Sequence, residues 1–171
     1  QMNPPIREQR HVDALWRALN AGIVDVMGSD HAPHSIEEKA QPYPASPSGM
    51  PGVQTMVPVM LTHVNNGKLS LQRFVELTSA GPQRVFGLAD KGRIAEGYHA
   101  DFTVVDLKRK ETITAEWSKS KCGWTPFDGF EATGWPVATI VRGGFVMRDG
   151  AIVAKGGGKP VRFNETLEPA A

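Results

Sequence analysis

Five consecutive residues, Asp30-His31-Ala32-Pro33-His34, bring one carboxylate and two imidazoles into one short stretch of chain. These are the side chains that move protons near neutral pH and that ligate divalent cations. An Asp can bind a metal through one oxygen and handle a proton with the other, which suits hydrolysis by metal-activated water. An Asp in this place also serves well as the N-cap of a following helix, with both His in ordinary surface roles. Spacing alone leaves both readings open.

The elements that would position this cluster lie just before it. Ile23-Val24-Asp25-Val26-Met27 is short and mostly apolar without clean alternation, which predicts a strand covered on both faces, as in a parallel sheet. Upstream, Val12, Leu15, Trp16 and Leu19 recur at i, i+3, i+4 and i+7, predicting a helix over residues 8–21 that stops at Gly22. Helix followed by buried strand is the order of an α/β fold. Ligands in such folds bind at the C-terminal ends of strands, where residues 30–34 fall. Residues 35–52, with Pro42, Pro44, Pro47, Gly49, Pro51 and Gly52, predict a long loop, and loops of that length are functional or disordered. A second helix is expected over residues 53–64, kinked or starting late at Pro58. A third should start at an N-cap Ser70 and carry Leu71, Phe74, Val75 and Thr78. Gly81-Pro82 should break it, with a short helix through Val85 and Phe86 beyond.

The character changes after Gly87. Asp101-Phe102-Thr103-Val104-Val105-Asp106-Leu107 alternates like a strand, and Glu111-Thr112-Ile113-Thr114 reads as a second. Residues 138–142 and 145–148 flank Gly143-Gly144, a hairpin signal, and residues 151–154 follow a turn at Asp149-Gly150. The expected organisation is an α/β part over residues 1–89 and a β-rich module over residues 90–171, ending in a flexible tail from Gly156-Gly157-Gly158 onward.

Bulk properties exclude several function classes. Over 171 residues the net charge is +1, with 40% hydrophobic and 22% charged residues, which is ordinary globular composition. A nucleic-acid surface would need clustered Lys and Arg; the short Lys108-Arg109-Lys110 reads as a solvated turn. The single Cys122 cannot form an internal disulfide, which points to a reducing cytoplasm. No apolar run reaches the length of a membrane span. The chain opens on Gln1-Met2-Asn3-Pro4-Pro5, a polar loop, which reads as part of a longer protein.

Three motifs in order, Asn3-Pro4-Pro5-Ile6-Arg7, then Gly28-Ser29-Asp30-His31-Ala32-Pro33-His34, then Pro47-Ser48-Gly49-Met50-Pro51-Gly52, resemble dihydroorotases of the amidohydrolase superfamily. Residues 92–101, Gly92-Arg93-Ile94-Ala95-Glu96-Gly97-Tyr98-His99-Ala100-Asp101, resemble the superfamily's return into its small β domain. Cys122-Gly123-Trp124-Thr125-Pro126-Phe127 looks like a late segment shared with allantoinases and hydantoinases. The resemblance implies the C-terminal part of a (β/α)8 barrel with a small β-sandwich module. Asp30 would be a metal ligand and the general base and acid. Asn3 and His34 would hold the substrate's ring and carboxylate, and Ser48 and Gly49 would offer backbone contacts. His31, on its own residue chemistry, reads as structural or as a residue that orients Asp30 from behind. His11, His63 and His99 and Arg7 are given no catalytic part.

By the same resemblance the metal is zinc, one or two ions, and the substrate pair is dihydroorotate and N-carbamoyl-L-aspartate in pyrimidine biosynthesis. The family's other metal ligands include a His-x-His pair, and no His-x-His occurs here. A barrel of this type needs about 250 residues. A proteolytic piece, or one part of a nicked enzyme, inactive alone, is therefore expected. Its partners would be the missing N-terminal part, a second copy in a homodimer and, in some relatives, aspartate carbamoyltransferase. Allantoinase or hydantoinase activity, a non-catalytic partner of the carbamoyltransferase, and a stand-alone interaction module are the rival readings.

Overall fold

The computed structural model of the chain describes residues 1–154 and 157–164. Helix α1 (Gln9–Asn20) appears where the apolar spacing places it. Its apolar side is only partly covered: Trp16 packs towards the core, while Leu15 is 62% exposed. The long 35–52 loop is not structureless. It holds a one-turn helix α2 (Ile36–Lys39) closed by a reciprocal capping box between Ser35 and Glu38. Helix α3 (Met56–Asn65) does start late, which places Pro58 in its first turn, where no i−4 carbonyl is left without a donor.

The expected break at Gly81-Pro82 does not occur. Helix α4 (Leu71–Val75), capped by the Ser70 hydroxyl, runs through a π-helical turn (Glu76–Ala80) straight into α5 (Gly81–Phe86). The widened turn resolves the conflict. The Gly81 N–H reaches back to the Glu76 carbonyl, and Pro82 has no N–H to give. The Leu77 carbonyl is thereby left to accept the Met27 N–H at 3.0 Å.

That bond matters because the predicted strand over residues 23–27 is not a strand in this structure. A buried parallel strand is defined by ladder partners on both sides. No described residue supplies them, and Ile23 is 73% exposed. The α4–α5 helix holds the segment by other means. Arg73 donates to the carbonyls of Leu19, at 2.8 Å, and Val24, and pairs with Glu76 at 2.8 Å. Arg84 lies 3.6 Å from Asp25. A Cβ on Gly81 would sit 2.1 Å from the Asp25 carbonyl oxygen, so only glycine lets the helix come this close.

Beyond residue 100 lies one antiparallel sheet in sequence order, β1 (Phe102–Thr112), β2 (Glu131–Val141), β3 (Gly144–Arg148) and β4 (Ala151–Ile152). Of the stretch 111–114 expected as a separate strand, Glu111 and Thr112 are instead the end of β1, and Ile113 and Thr114 lie beyond it. A bulge at Asp106, whose carboxylate accepts the Lys108 and Arg109 N–H groups, carries the chain on in the same strand. Pro136 in β2 lies opposite Val105, where the β1 register shifts, a place where the ladder tolerates a missing donor. The β2–β3 turn centres on Arg142-Gly143 rather than Gly143-Gly144, both with positive φ (50° and 81°), as a type I′ hairpin requires.

Helix α3 lies against β2. Gly134 (φ 101°) makes room for it, since a Cβ there would meet Leu61 Cβ at 2.6 Å. The Asn65 amide ties the helix to the Thr133 and Leu107 carbonyls at 2.8 and 3.1 Å. Two apolar clusters result, one around Leu61, Leu69 and Phe74 and one around Ile113, Ala132 and Trp135. Of the expected flexible tail, Gly156 and residues 165–171 lie outside the described residues. Its described part is tied down: Ala89 N–H donates to the Arg162 carbonyl (2.9 Å) and Asn164 N–H to the Gly87 carbonyl (2.7 Å).

Candidate active site

Asp30 follows the 23–28 segment in left-handed backbone conformation (φ 45°), which Asp tolerates better than most residues. Its side chain is exposed, and among the described residues it makes no hydrogen bond or ion pair. The carboxylate is thus presented at the segment's end without being spent on capping a helix. The cap role falls instead to Ser35, whose hydroxyl accepts the Glu38 N–H at 3.2 Å.

The 47–52 loop is seated directly on this cluster. His31 and Met50 form a parallel bridge, and the Ala32 N–H donates to the Met50 carbonyl at 3.0 Å. The imidazole of His31 turns to the loop: Nδ1 accepts the Gly52 N–H at 3.0 Å and the Val53 N–H at 3.4 Å. Because Nδ1 accepts, the ring proton sits on Nε2. The Nδ1 side of His31, expected to support Asp30, is therefore engaged by the 47–52 loop and the start of the next segment. Two glycines allow the close seating. A Cβ on Gly49 (φ 119°) would meet Ala32 Cβ at 2.6 Å, and one on Gly52 would meet the Ser29 carbonyl oxygen at 2.7 Å.

The N-terminal segment joins the same cluster. The Gln1 carbonyl, two residues before Asn3, accepts the Gly49 N–H (3.2 Å) and the Lys39 ammonium (3.0 Å). Lys39 also donates to the Pro47 carbonyl at 2.8 Å, stapling the loop to Gln1. Asn3 is exposed, Ser48 half-buried and Gly49 buried. The segments bearing Asn3, Asp30, His34, Ser48 and Gly49 thus meet in one region. His34 is half-buried, with Nδ1 3.6 Å from Glu38 Oε2 and its carbonyl accepting the Trp124 indole N–H at 2.7 Å.

Residues 7–146 match the amidohydrolase family. The chain belongs to that family. This amidohydrolase chain is 44% identical over 157 residues to the dihydroorotase of Methanothermobacter thermautotrophicus, covering 91% of itself and 35% of that protein. It is 42% identical over 162 residues to the dihydroorotase of Halobacterium salinarum, covering 95% and 38%. Among solved structures it superposes on the L-hydantoinase of Arthrobacter aurescens with a TM-score of 0.86 at 36% identity, covering 91% of itself and 36% of that chain. The D-hydantoinase of Thermus sp. gives 0.85 at 35% identity, covering 90% and 35%. The resemblance to dihydroorotases read from the motifs is thus borne out. The amidohydrolase chain spans about a third of the length of the relatives it matches.

Whether these residues suit the metal on which such hydrolases generally depend can be tested on their donors. Asp30 suits one ligand position, being exposed and otherwise unengaged. Among the described residues no group of three or more His, Cys, Asp or Glu could hold a metal ion. A catalytic zinc needs about three protein ligands, so Asp30 alone does not make the site. A cleft of about 190 Å³ is lined by His31, Gly52, Val53, Gln54, Ser118 and Lys119, and Asp30 is not part of its wall.

Lys39, Glu38 and Trp124 were not singled out from the sequence. Ser35-Ile36-Glu37-Glu38 is a legible capping-box signature that could have located the first two. Nothing near Trp124 in sequence points to His34.

Proposed function

We propose that this chain is the C-terminal part of a cyclic amidohydrolase that interconverts dihydroorotate and N-carbamoyl-L-aspartate. In this reading residues 1–89 complete the barrel around Asp30. Residues 90–171 contribute β1–β4 to a small β-sandwich, whose other strands come from elsewhere in the protein. The observation that supports the reading is the seating of the 47–52 loop on residues 29–32, beside the Gln1 end of the segment that carries Asn3.

Asp30 would contribute one ligand to a divalent site, zinc by family resemblance, completed by donors outside the described residues. The metal would supply activation of water at neutral pH and polarisation of the ring carbonyl. The Asp30 carboxylate takes the proton from the attacking water and returns it to the departing ring nitrogen as the amide bond breaks. His34 and Asn3 hold the ring and its carboxylate, and the Ser48–Gly49 backbone faces the ring edge. The same groups run the reverse, ring-closing direction. On this reading the protein is cytoplasmic, homodimeric and, in some settings, bound to aspartate carbamoyltransferase. Among the described residues no helix is long and apolar enough to cross a membrane.

The two solved structures compared above are hydantoinases, which favours a second reading with a different cyclic amide as substrate. The full-length protein should be assayed on dihydroorotate, hydantoin and allantoin, with Asp30→Asn alongside. We expect turnover of dihydroorotate, lowered at least about 1,000-fold by the substitution. Preference for hydantoin or allantoin would sink the first reading in favour of the second. No turnover of any of the three would point to the non-catalytic partner role.

A further inference from the structure

We propose that Trp124 is a positioning residue for His34, so that the β-rich part of the chain sets the orientation of a substrate-facing imidazole. The inference rests on the reading of His34 as a contact to the substrate's carboxylate. Its basis is the 2.7 Å hydrogen bond from the Trp124 indole N–H to the His34 carbonyl, across 90 residues of sequence.

His34 has little else to fix it. It precedes a helix of one turn, too short to be stable by its own hydrogen bonds. Its Nδ1 stands 3.6 Å from Glu38 Oε2, beyond hydrogen-bond length, and that oxygen already accepts the Ser35 N–H at 2.8 Å. The backbone on the C-terminal side of His34 is thus held by the capping box, and His34's own peptide group is held by Trp124. An indole has one donor and no acceptor, so this half-buried N–H is satisfied in one geometry only.

Trp124 is itself anchored from both sides. Cys122 Sγ donates to the Trp124 carbonyl at 3.5 Å. Thr125 is 6% exposed, and its hydroxyl accepts the Phe127 N–H at 3.3 Å, with Phe127 packed against the Ile113 cluster. Earlier in the same segment, the Gln54 side chain donates to the Trp117 carbonyl (3.0 Å) and accepts the Lys119 N–H (2.7 Å). Residues 117–127 therefore form a strap with one end in the sheet's core and the other at the start of α3. The indole is the point where the strap touches the 30–34 cluster.

The test uses the full-length protein and Trp124→Phe, which keeps a ring and removes the donor. We expect KM for dihydroorotate to rise about tenfold with kcat unchanged, the size expected for one half-buried hydrogen bond. Amide exchange at residues 34–38 should speed up while β1 and β2 stay as protected as before. A fall in kcat with KM unchanged, or unaltered exchange at 34–38, overturns the proposal. A measurement on the unsubstituted protein guards against a variant that does not fold: the Trp124 indole N–H should exchange slowly with solvent, and rapid exchange overturns the proposal as well. Absence of dihydroorotate turnover in the unsubstituted protein would sink the functional reading, and exchange at 34–38 would then decide the strap alone.

Discussion

Strand β2 and the segment 23–28 are both built largely from apolar, β-favouring residues, yet only β2 forms a strand. The difference lies in what flanks them. β2 has β1 along its whole length and β3 along its C-terminal part, with α3 across one face, and Trp135 and Ala132 are almost wholly buried. The 23–28 segment has a helix on one side and exposed Ile23 on the other, and its backbone is held at single points by Arg73 and the Leu77 carbonyl. The sheet is paired along its strands and shares both apolar clusters with α3, whereas the segment that presents Asp30 is positioned by a few long-range contacts. The sheet and α3 together can serve as the fixed frame against which residues 30–34 and their loop are aligned.

The largest expected effect breaks the frame. Leu61 is fully buried where α3 meets β2, so Leu61→Ala removes apolar contacts and leaves a cavity, costing about 2–5 kcal/mol. Denaturant unfolding of the full-length protein should show it, with protection lost together in α3 and in β1–β2. Loss confined to residues 23–34 would mean that the frame does not rest on this contact.

The opposite pattern is expected for Arg73→Met. The apolar stem is kept, but the bonds to the Leu19 and Val24 carbonyls and to Glu76 are lost. A cost of about 1–3 kcal/mol is expected. Faster amide exchange should appear at residues 19–27, and kcat should fall because Asp30 loses its alignment, while exchange in β1 and β2 stays unchanged. The guanidinium, with a smaller contribution from Arg84, also holds the half-buried Glu76 carboxyl below its ordinary range, so the substitution should let that group titrate nearer its usual value.

How much of this could be read in the sequence follows the same division. Asp30, His31 and His34 lie within five residues, and the Ser70 cap of α4 lies within four, so local chemistry was legible there; the equally local cap of α2 was hidden in a stretch read as loop. The β1 and β2–β3 patterns were legible because alternation and turn residues act over a few positions, although the bulge at Asp106 merged two expected strands into one. The 23–27 run carries the pattern of burial on two faces, but the pattern cannot say which residues do the covering. Gly81-Pro82 looked like a stop because a proline removes a donor. The structure gives the Leu77 carbonyl to Met27, 50 residues away, and no local rule anticipates that. The contacts of Arg73 and Trp124 are invisible for the same reason, since their partners are backbone carbonyls, which every residue has.

The smallest expected effect tests whether the comparison extends to α1, a helix of three turns with no buried residue. Its Trp16 ring meets His63 of α3 edge-on at 4.9 Å, and Lys68 lies 5.7 Å over the same indole. Burial first, and then the nearby Lys68 charge, push the His63 pKa below the usual 6.5, and its Nδ1 is buried without a hydrogen-bond partner. The folded state therefore prefers the neutral ring, and below pH 6.5 the unfolded chain binds the extra proton more readily. Stability from this contact should be complete above pH 6.5 and be lost as the pH falls through the lowered folded value. His63→Phe keeps an aromatic ring beside Trp16 and removes the titration. The melting temperatures of the two proteins should run parallel above pH 6.5 and diverge below it in favour of Phe. Parallel behaviour down to pH 5 would mean that α1 is docked by something other than this contact, and that the exposed helix belongs with the loosely held half of the molecule.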